Sequence, residues 1–176
     1  NSLYDENYTA SEKTFDLITQ VVGRAGRRGI TGKAVIQTIN PFNDTLEFAA
    51  SQDYKGFFDR EIQMRKLMIY PPYCDIFSVS FVSENEAKAA LCAKAFFDKL
   101  VELNKNEYKA IKLVVLGPTP AKISKINNCY RYRLALKCKN SSLIRSMITK
   151  ILKCISSNKD YKSVSVSVDL NPNDIS

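Results

Sequence analysis

The chain has 176 residues, of which 45% are hydrophobic and 25% are charged, a balance typical of globular proteins and unlike that of disordered ones. Its formal net charge of +8 favours a polyanionic partner, and nucleic acid more than a membrane, because no apolar run is long enough to span a bilayer. A solvated basic surface is the competing explanation of the charge.

The five cysteines are scattered without a C-x-x-C pair, and the chain contains no histidine. This pattern argues against a zinc site, so we expect the chain itself to hold no metal or other cofactor. Several cysteines fall on apolar faces, which favours buried thiols in a reducing cytoplasm.

The first predicted helix begins at a capping box in which Thr9 and Glu12 satisfy each other's backbone amides. Apolar residues follow at helical spacing. Glycines at intervals of three, from Gly23 to Gly32, predict that the chain then turns. Residues 33–39 alternate loosely between apolar and polar and predict a buried strand.

A second helix is predicted over residues 44–69, with Gly56 as its weak point. Within it, Glu61 and Arg65 have the spacing of an i,i+4 ion pair. Residues 70–73 (YPPY) end this helix, because proline cannot continue a helix and restricts the residue before it. We therefore place the main domain boundary at these prolines.

The remainder of the chain predicts an α+β domain with the order β-α-β-β-α-β. Alternating or helical periodicity marks its elements at residues 77–81, 89–103, 111–116, 130–138, 143–155 and 164–168. The continuous apolar run at 111–116 predicts a central strand, closed by Gly117-Pro118. Two helices would cover one face of the four-stranded sheet and leave the other face open and polar.

Residues 20–27 (QVVGRAGR) place two arginines three residues apart at the glycine-rich end of the first helix. Two guanidinium groups at this spacing can contact one polyphosphate, which is the layout of helicase motif VI. An ordinary helix C-terminus, where cations complement the helix dipole, is the alternative. The chain has no G-x-x-x-x-G-K-[ST] loop, so the site is incomplete as a nucleotide hydrolase.

A second candidate site is a row of cations on one strand face. Arg131, Arg133 and Lys137 alternate along the strand at 130–138, and Lys122 and Lys125 precede them in a predicted loop. Such a row on an open sheet can follow a phosphate backbone. The tyrosines of the same strand face the other way, so base stacking beside the arginines is not predicted. A solvated strand face is the alternative.

These residues together resemble the C-terminal part of the PriA family of primosomal replication-restart helicases, also called primosomal protein N′. Residues 14–27 (TFDLITQVVGRAGR) are similar to that family's motif VI and the helix before it. Further similar blocks make the resemblance specific, and they lie at residues 32–38, 53–57, 70–73, 116–121 and 130–133.

The resemblance implies that the parent protein is an ATP-dependent 3′-to-5′ DNA helicase that recognises stalled replication forks and restarts replication. Residues 1–43 would form the end of the second RecA-like helicase lobe, and residues 44–73 a connecting helix and the boundary. Residues 74–176 would form an S10-like, ferredoxin-like domain that binds DNA and partner proteins.

Carried over residue by residue, the resemblance makes Arg27 the arginine finger and Arg24 a second phosphate contact. Gln20 would be an ATP-site or coupling residue, and Gln20 and Gly23 would complete the contacts to the ATP phosphates. ATP and magnesium belong to the whole protein, and the family's Walker motifs and zinc module lie upstream, so the chain alone is expected to be inactive.

The partners that the resemblance implies are branched and single-stranded DNA, single-stranded DNA-binding protein and other primosome proteins, with no membrane. Arg145, near the start of the last helix, is a candidate contact for the acidic tail of single-stranded DNA-binding protein. The alternative function is a stand-alone, basic nucleic-acid-binding module with an S10-like fold and no catalytic role.

Overall fold

The computed structural model describes residues 7–25 and 33–172, and it divides the chain into two compact units, Asn1–Met68 and Ile69–Ser176. The division lies between Met68 and Ile69, so the prolines at residues 71 and 72 belong to the second unit. Among the described helices, none is both long enough and apolar enough to cross a bilayer.

The described part of the first unit consists of three helices. These are α1 (Ala10–Ala25), α2 (Asp44–Ser51) and α3 (Tyr54–Leu67). Their shared core is small, and at its centre the rings of Phe15 and Phe57 stack with centroids 4.3 Å apart. Each buried phenylalanine contributes about 2–3 kcal/mol, so this unit rests on a few aromatic contacts.

The capping box predicted at the start of α1 is wrong. Thr9 Oγ1 is buried and has no hydrogen-bond partner among the described residues, while the Thr9 N–H donates to Asn7 Oδ1 at 3.2 Å. Glu12 instead accepts from Arg65 Nη2 at 2.7 Å, which links α1 to α3. The Nε of Arg65 also donates to Glu61 at 3.0 Å, which confirms the predicted i,i+4 pair.

The single helix predicted over residues 44–69 is wrong, because the chain forms α2 and α3 with a break between them. Gln52 takes a left-handed conformation (φ 55°), and Asp53 then caps α3 by accepting from the Gly56 N–H at 2.9 Å. Gly56, the predicted weak point, lies inside α3. A Cβ there would come 2.6 Å from Phe48 Cε1 and would clash with Asp53 Oδ2, so the cap itself requires glycine.

The strand predicted over residues 33–39 is absent: this segment has no regular secondary structure, and the side chains of Val35 and Ile39 are 94% and 81% exposed. A strand needs a neighbour to satisfy its backbone, and none pairs with this segment among the described residues. The described residues therefore hold no sheet of a RecA-like lobe.

The second unit is a four-stranded antiparallel sheet with two long helices. In chain order the elements are β1 (Asp75–Ser83), α4 (Glu86–Asn106), β2 (Leu113–Ile126), β3 (Cys129–Cys138), α5 (Ser142–Ser157), a short 3₁₀ turn (Lys159–Tyr161) and β4 (Ser165–Leu170). The strands lie in the order β2-β3-β1-β4 and every pair is antiparallel. This is the ferredoxin-like arrangement, and it confirms the predicted α+β class and element order.

The main core lies between the sheet and the pair α4 and α5. From β1, Phe77, Val79 and Phe81 point into it, and Phe81 meets Phe96 of α4 edge to face with ring centroids 5.6 Å apart. The alternate residues of each strand are therefore left for the opposite face of the sheet.

The strand β2 differs from its prediction in position and length. It is an edge strand rather than a central one, and it runs past Gly117-Pro118 to Ile126. Its apolar run suggested burial on both faces, but Val114 and Leu116 are each 45% exposed on the face away from the helices. Gly117 has a φ of +89°, and a Cβ there would lie 2.7 Å from the Arg133 carbonyl oxygen, where the register with β3 shifts.

A carboxylate joins three strand ends. One oxygen of Asp75, at the start of β1, accepts from the backbone N–H of Asn140 just after β3 (2.9 Å). The other accepts from Asn171 Nδ2 just after β4 (2.9 Å), while the Ile76 N–H donates to Asn171 Oδ1 at 2.8 Å. The side-chain hydrogen bond from Asn171 and the backbone one from Asn140 hold the pKa of Asp75 below its ordinary value.

We expect Asp75→Asn to destabilise the second unit at neutral pH, because an amide cannot accept from both donors in the way the carboxylate does. The loss should be only about 1 kcal/mol, because the Asp75 side chain is partly open to solvent. Folding lowers the pKa of Asp75, so its contribution is present above the ordinary value of 3.8 and is lost as pH falls through the folded-state value. Urea midpoints of wild type and variant should therefore converge in acid. Asp169→Asn, at an exposed carboxylate of β4, is the control, and an equal loss in it would contradict this role.

Two glycine-to-alanine substitutions should have opposite effects. The Cβ atom that Gly23→Ala adds to α1 would have no neighbouring atom within 4 Å. This substitution should therefore slow amide exchange in that helix about fourfold, because alanine has the better helix propensity. Gly56→Ala must displace Asp53 from its cap, so exchange across α3 should become a few-fold faster. Slower exchange in both helices would show that the cap does not matter.

Candidate nucleic-acid interface

The face of the sheet away from the helices carries two arginines of β3. Arg131 pairs across the ladder with Val82 of β1, and Arg133 pairs with Ser80. The arginines are about 7 Å apart along the strand. We call the surface formed by Arg131, Arg133, Ser80, Ser165, Ser167 and Thr119 the cationic sheet face. Its members beside the arginines are small hydroxyl side chains, which can themselves donate to phosphate. Both arginines are half-buried, and the Nε and Nη1 atoms of Arg133 are buried.

Lys137 has a different environment, although it lies on the same side of β3. Its side chain is 8% exposed, and its Nζ lies 3.5 Å from the ring centroid of Tyr70. Burial lowers the pKa of Lys137. The cation–π contact with Tyr70 compensates part of the cost of burying the ammonium group, so this lysine holds residues near the unit's start against the sheet.

The prediction of an open, polar second face is therefore wrong at one end of the sheet. Beside Lys137, Ile76 and Ser78 of β1 are buried, as is Ala135 of β3. The ring of Tyr70 lies over Lys137 at this end, and alternation within the strands carries no information about such a contact. The end that contains Arg131 and Arg133 is less covered, since both arginines are half-buried rather than buried.

Lys122 and Lys125 lie on the extension of β2 rather than in the predicted loop, and both are exposed. Lys125 pairs across the ladder with Tyr130, donates to its hydroxyl at 3.2 Å and lies 4.6 Å from its ring centroid. The strand thus presents a tyrosine beside a cation. Sequence analysis missed this pair because two register shifts between β2 and β3 bring them together.

The residues of the predicted motif VI lie at the end of α1. Gln20 and Arg24 are four residues apart, so they share a face of the helix, and both are exposed. The helix continues through Gly23 to Ala25, past the predicted start of the turn, and the space around Gly23 is open. Arg27 lies outside the described residues, as do the glycines that follow it.

An apolar surface adjoins this helix end. Leu17 and Val21 of α1 are more than half exposed. Together with neighbouring helix residues and residues 34–36, they line an open cavity of about 280 Å³. Contiguous exposed apolar surface is a common feature of interaction sites.

Two of the cysteines have the buried environment that the sequence predicted. Cys92 and Cys138 are buried, and burial raises the pKa of each thiol to about 11. They therefore remain protonated and unreactive at neutral pH. Among the described residues, no group of three or more His, Cys, Asp or Glu side chains is arranged to hold a metal ion.

The fold and the arginine-bearing face define a ferredoxin-like α+β domain with a candidate polyanion-binding sheet, preceded by a small helical unit. A family model described as the primosomal protein N C-terminal domain matches residues 66–173. The chain belongs to this family, which confirms the resemblance seen in its motifs.

Three relatives show the same relationship along nearly the whole chain. Replication restart protein PriA of Bacillus subtilis is 33% identical over 171 residues, covering 97% of this chain and 21% of the relative. The PriA proteins of Borreliella burgdorferi and Thermotoga maritima are 30% and 32% identical and cover 94% and 87% of this chain. The matches cover 24% and 19% of those two relatives. The chain thus spans about a fifth of the length of these proteins and corresponds to a C-terminal portion.

Proposed function

We propose that this chain is the C-terminal portion of an ATP-dependent 3′-to-5′ DNA helicase that acts at stalled replication forks in the cytoplasm and restarts replication. The observation that carries the proposal is the match to replication restart protein PriA across 97% of the chain. In this role the chain supplies motif VI and a domain that binds DNA and primosome proteins.

The end of α1 fits a nucleotide-phosphate contact. Gln20 and Arg24 project from one helix face, and Gly23 between them leaves room for a ligand to approach the backbone. Arg24 and Arg27 would neutralise charge on the phosphates of ATP, with Arg27 as the finger nearest the transferring group. ATP and magnesium, when bound by the rest of the protein, supply the phosphoryl-transfer chemistry.

The apolar surface beside motif VI supports a larger helicase lobe. Leu17 and Val21 expose apolar side chains, and residues 33–39 keep a strand-like pattern without a partner strand among the described residues. Both features fit a chain whose sheet is completed by residues of the parent protein. The motif would then be held against a nucleotide bound outside this chain.

The half-buried and exposed cations on the sheet of the second unit fit a DNA backbone. Arg131 and Arg133 lie on the cationic sheet face, and Lys122 and Lys125 extend along β2. Lys137 is excluded from this set because it is buried against Tyr70. Arg145, exposed in α5, remains the candidate contact for the acidic tail of single-stranded DNA-binding protein.

In the full-length protein, Arg27→Ala should lower DNA-stimulated ATP hydrolysis by about 10²–10³-fold, because the charge that forms on the γ-phosphoryl group loses its closest cation. Arg28→Ala is the matched control, since it removes the same charge from the adjacent residue, and it should change the rate by less than about twofold.

The 176-residue chain alone should hydrolyse no ATP. DNA-stimulated turnover by the purified chain would show that it is a complete enzyme and overturn the proposal.

Replacing Arg131 and Arg133 together by alanine should weaken binding of single-stranded DNA to this chain. The slope of log K against log salt concentration should become shallower by about 1.4, because each lost phosphate contact removes about 0.7. Lys88→Ala with Lys105→Ala removes equal charge from exposed sites on α4 and should leave the slope unchanged. An equal effect of both pairs would mean that only net charge matters.

A further inference from the structure

The two edges of the sheet are built differently. The strand β2 carries Pro118 and Pro120, two lysines and two register shifts, all of which discourage pairing with another strand. Among the described residues β4 forms the other edge, and it has neither proline nor lysine. Its sequence alternates serine and valine over Ser165–Val168, which suits an added strand.

Every second residue of β4 directs its backbone N–H and C=O groups away from β1. The Asn171 N–H donates to the Ile76 carbonyl at 2.7 Å, so these two opposite residues form a hydrogen-bonded pair of the β1–β4 ladder. By the alternation of an antiparallel ladder, Val166 and Val168 turn their N–H and C=O groups away from β1. Their side chains point toward the helices, where both pack against the core and remain half-buried.

A groove runs beside the same residues. Its open volume is about 360 Å³, and its walls include Leu152, Lys153, Ile155, Tyr161, Val164 and Val166. The helix α5 therefore does not fully cover the core-facing side chains of β4. An added strand would lay alternate side chains over this groove while its backbone paired with Val166 and Val168.

The charge around the groove is positive. Lys153 forms part of its wall, and Lys159 and Lys162 are exposed at or just after the 3₁₀ turn. Asp160 is the one acidic residue of that turn. Asp169 faces the other side of the sheet, where it is paired with Ser78. This charge distribution favours a ligand with acidic flanks.

We propose that the β4 edge and this groove form a docking site for an extended segment of a partner protein, with alternating apolar residues flanked by acidic ones. The segment adds to the sheet as a fifth strand next to β4. Its apolar side chains cover Val166 and Leu152, and its acidic flank meets Lys153. The cationic sheet face lies on the opposite side of the strands, so DNA and the segment do not compete for the same side chains.

The test uses the isotope-labelled 176-residue chain and a synthetic acetylated peptide of alternating valine and threonine with two glutamates at each end. We expect NMR shifts centred on Val166, Val168 and the groove, and amide exchange at Val166 and Val168 slowed about tenfold at saturation. Val168→Pro removes an outward N–H and should weaken binding about tenfold.

A charge swap provides a second readout that does not depend on the proline variant folding. Lys153→Glu should weaken binding of the glutamate-flanked peptide several-fold and strengthen binding of a lysine-flanked peptide. Lys88→Glu, on the exposed face of α4, is the matched control and should change neither affinity.

Three results would overturn the inference. The first is the absence of shifts at about 1 mM peptide, and the second is a set of shifts confined to the cationic sheet face. The third is a concentration-dependent dimer through β4 that the peptide displaces, because the occupant would then be a second copy of the chain.

Discussion

The second unit depends on the burial of one face of its sheet beneath α4 and α5. Phe77, Val79 and Phe81 of β1 enter this core, and Phe96 of α4 closes it from the other side. Because side chains alternate along a strand, the same packing fixes which residues are left on the opposite face. A one-residue slip of β3 would bury the arginines and expose Leu134 and Leu136. The register that stabilises the core is therefore also the register that places the arginines on the opposite face.

Two further surfaces follow from this one-sided burial. An antiparallel sheet of four strands has two edges, and here prolines and register shifts block β2 while β4 keeps regular backbone geometry. On the face opposite the helices, Tyr70 lies over Lys137 at one end. The β4 edge and Arg131 are thus spatially separate parts of one sheet, so the two proposed contacts do not overlap. The hydrogen bonds of the Asp75 carboxylate stabilise both surfaces, since they join β1 to the ends of β3 and β4.

The sequence was sufficient for the β-α-β-β-α-β order, because strict alternation in β1 and a continuous helical stripe in α5 depend on local periodicity. It was insufficient where contacts between residues distant in the sequence determine the local structure. The break at Gln52 depends on an Asp53 cap that competes with helix continuation. The prediction of β2 as a central strand holds only if both faces of its apolar run are buried, and the strand is at an edge. The aromatic partner of Lys125 depends on two register shifts. For the proposed motif VI residues, spacing predicts a shared helix face for Gln20 and Arg24, but the nucleotide that we propose for them would be bound outside this chain.

Net charge is a weak guide to function here, because the cations are in different environments. Lys94 and Lys99 are paired with carboxylates one turn along α4, and Lys150 binds Glu107. Exposed pairs of this kind contribute little stability, but each partner cancels the field of its lysine at a distance. Lys137 is withdrawn from solvent beneath Tyr70. Arg131 lies beside serine and valine rather than a carboxylate in the strand ladder, so its field extends into solvent. This uneven distribution would favour a polyanion at one face of the sheet over the rest of the protein, which is the condition for the proposed orientation on DNA.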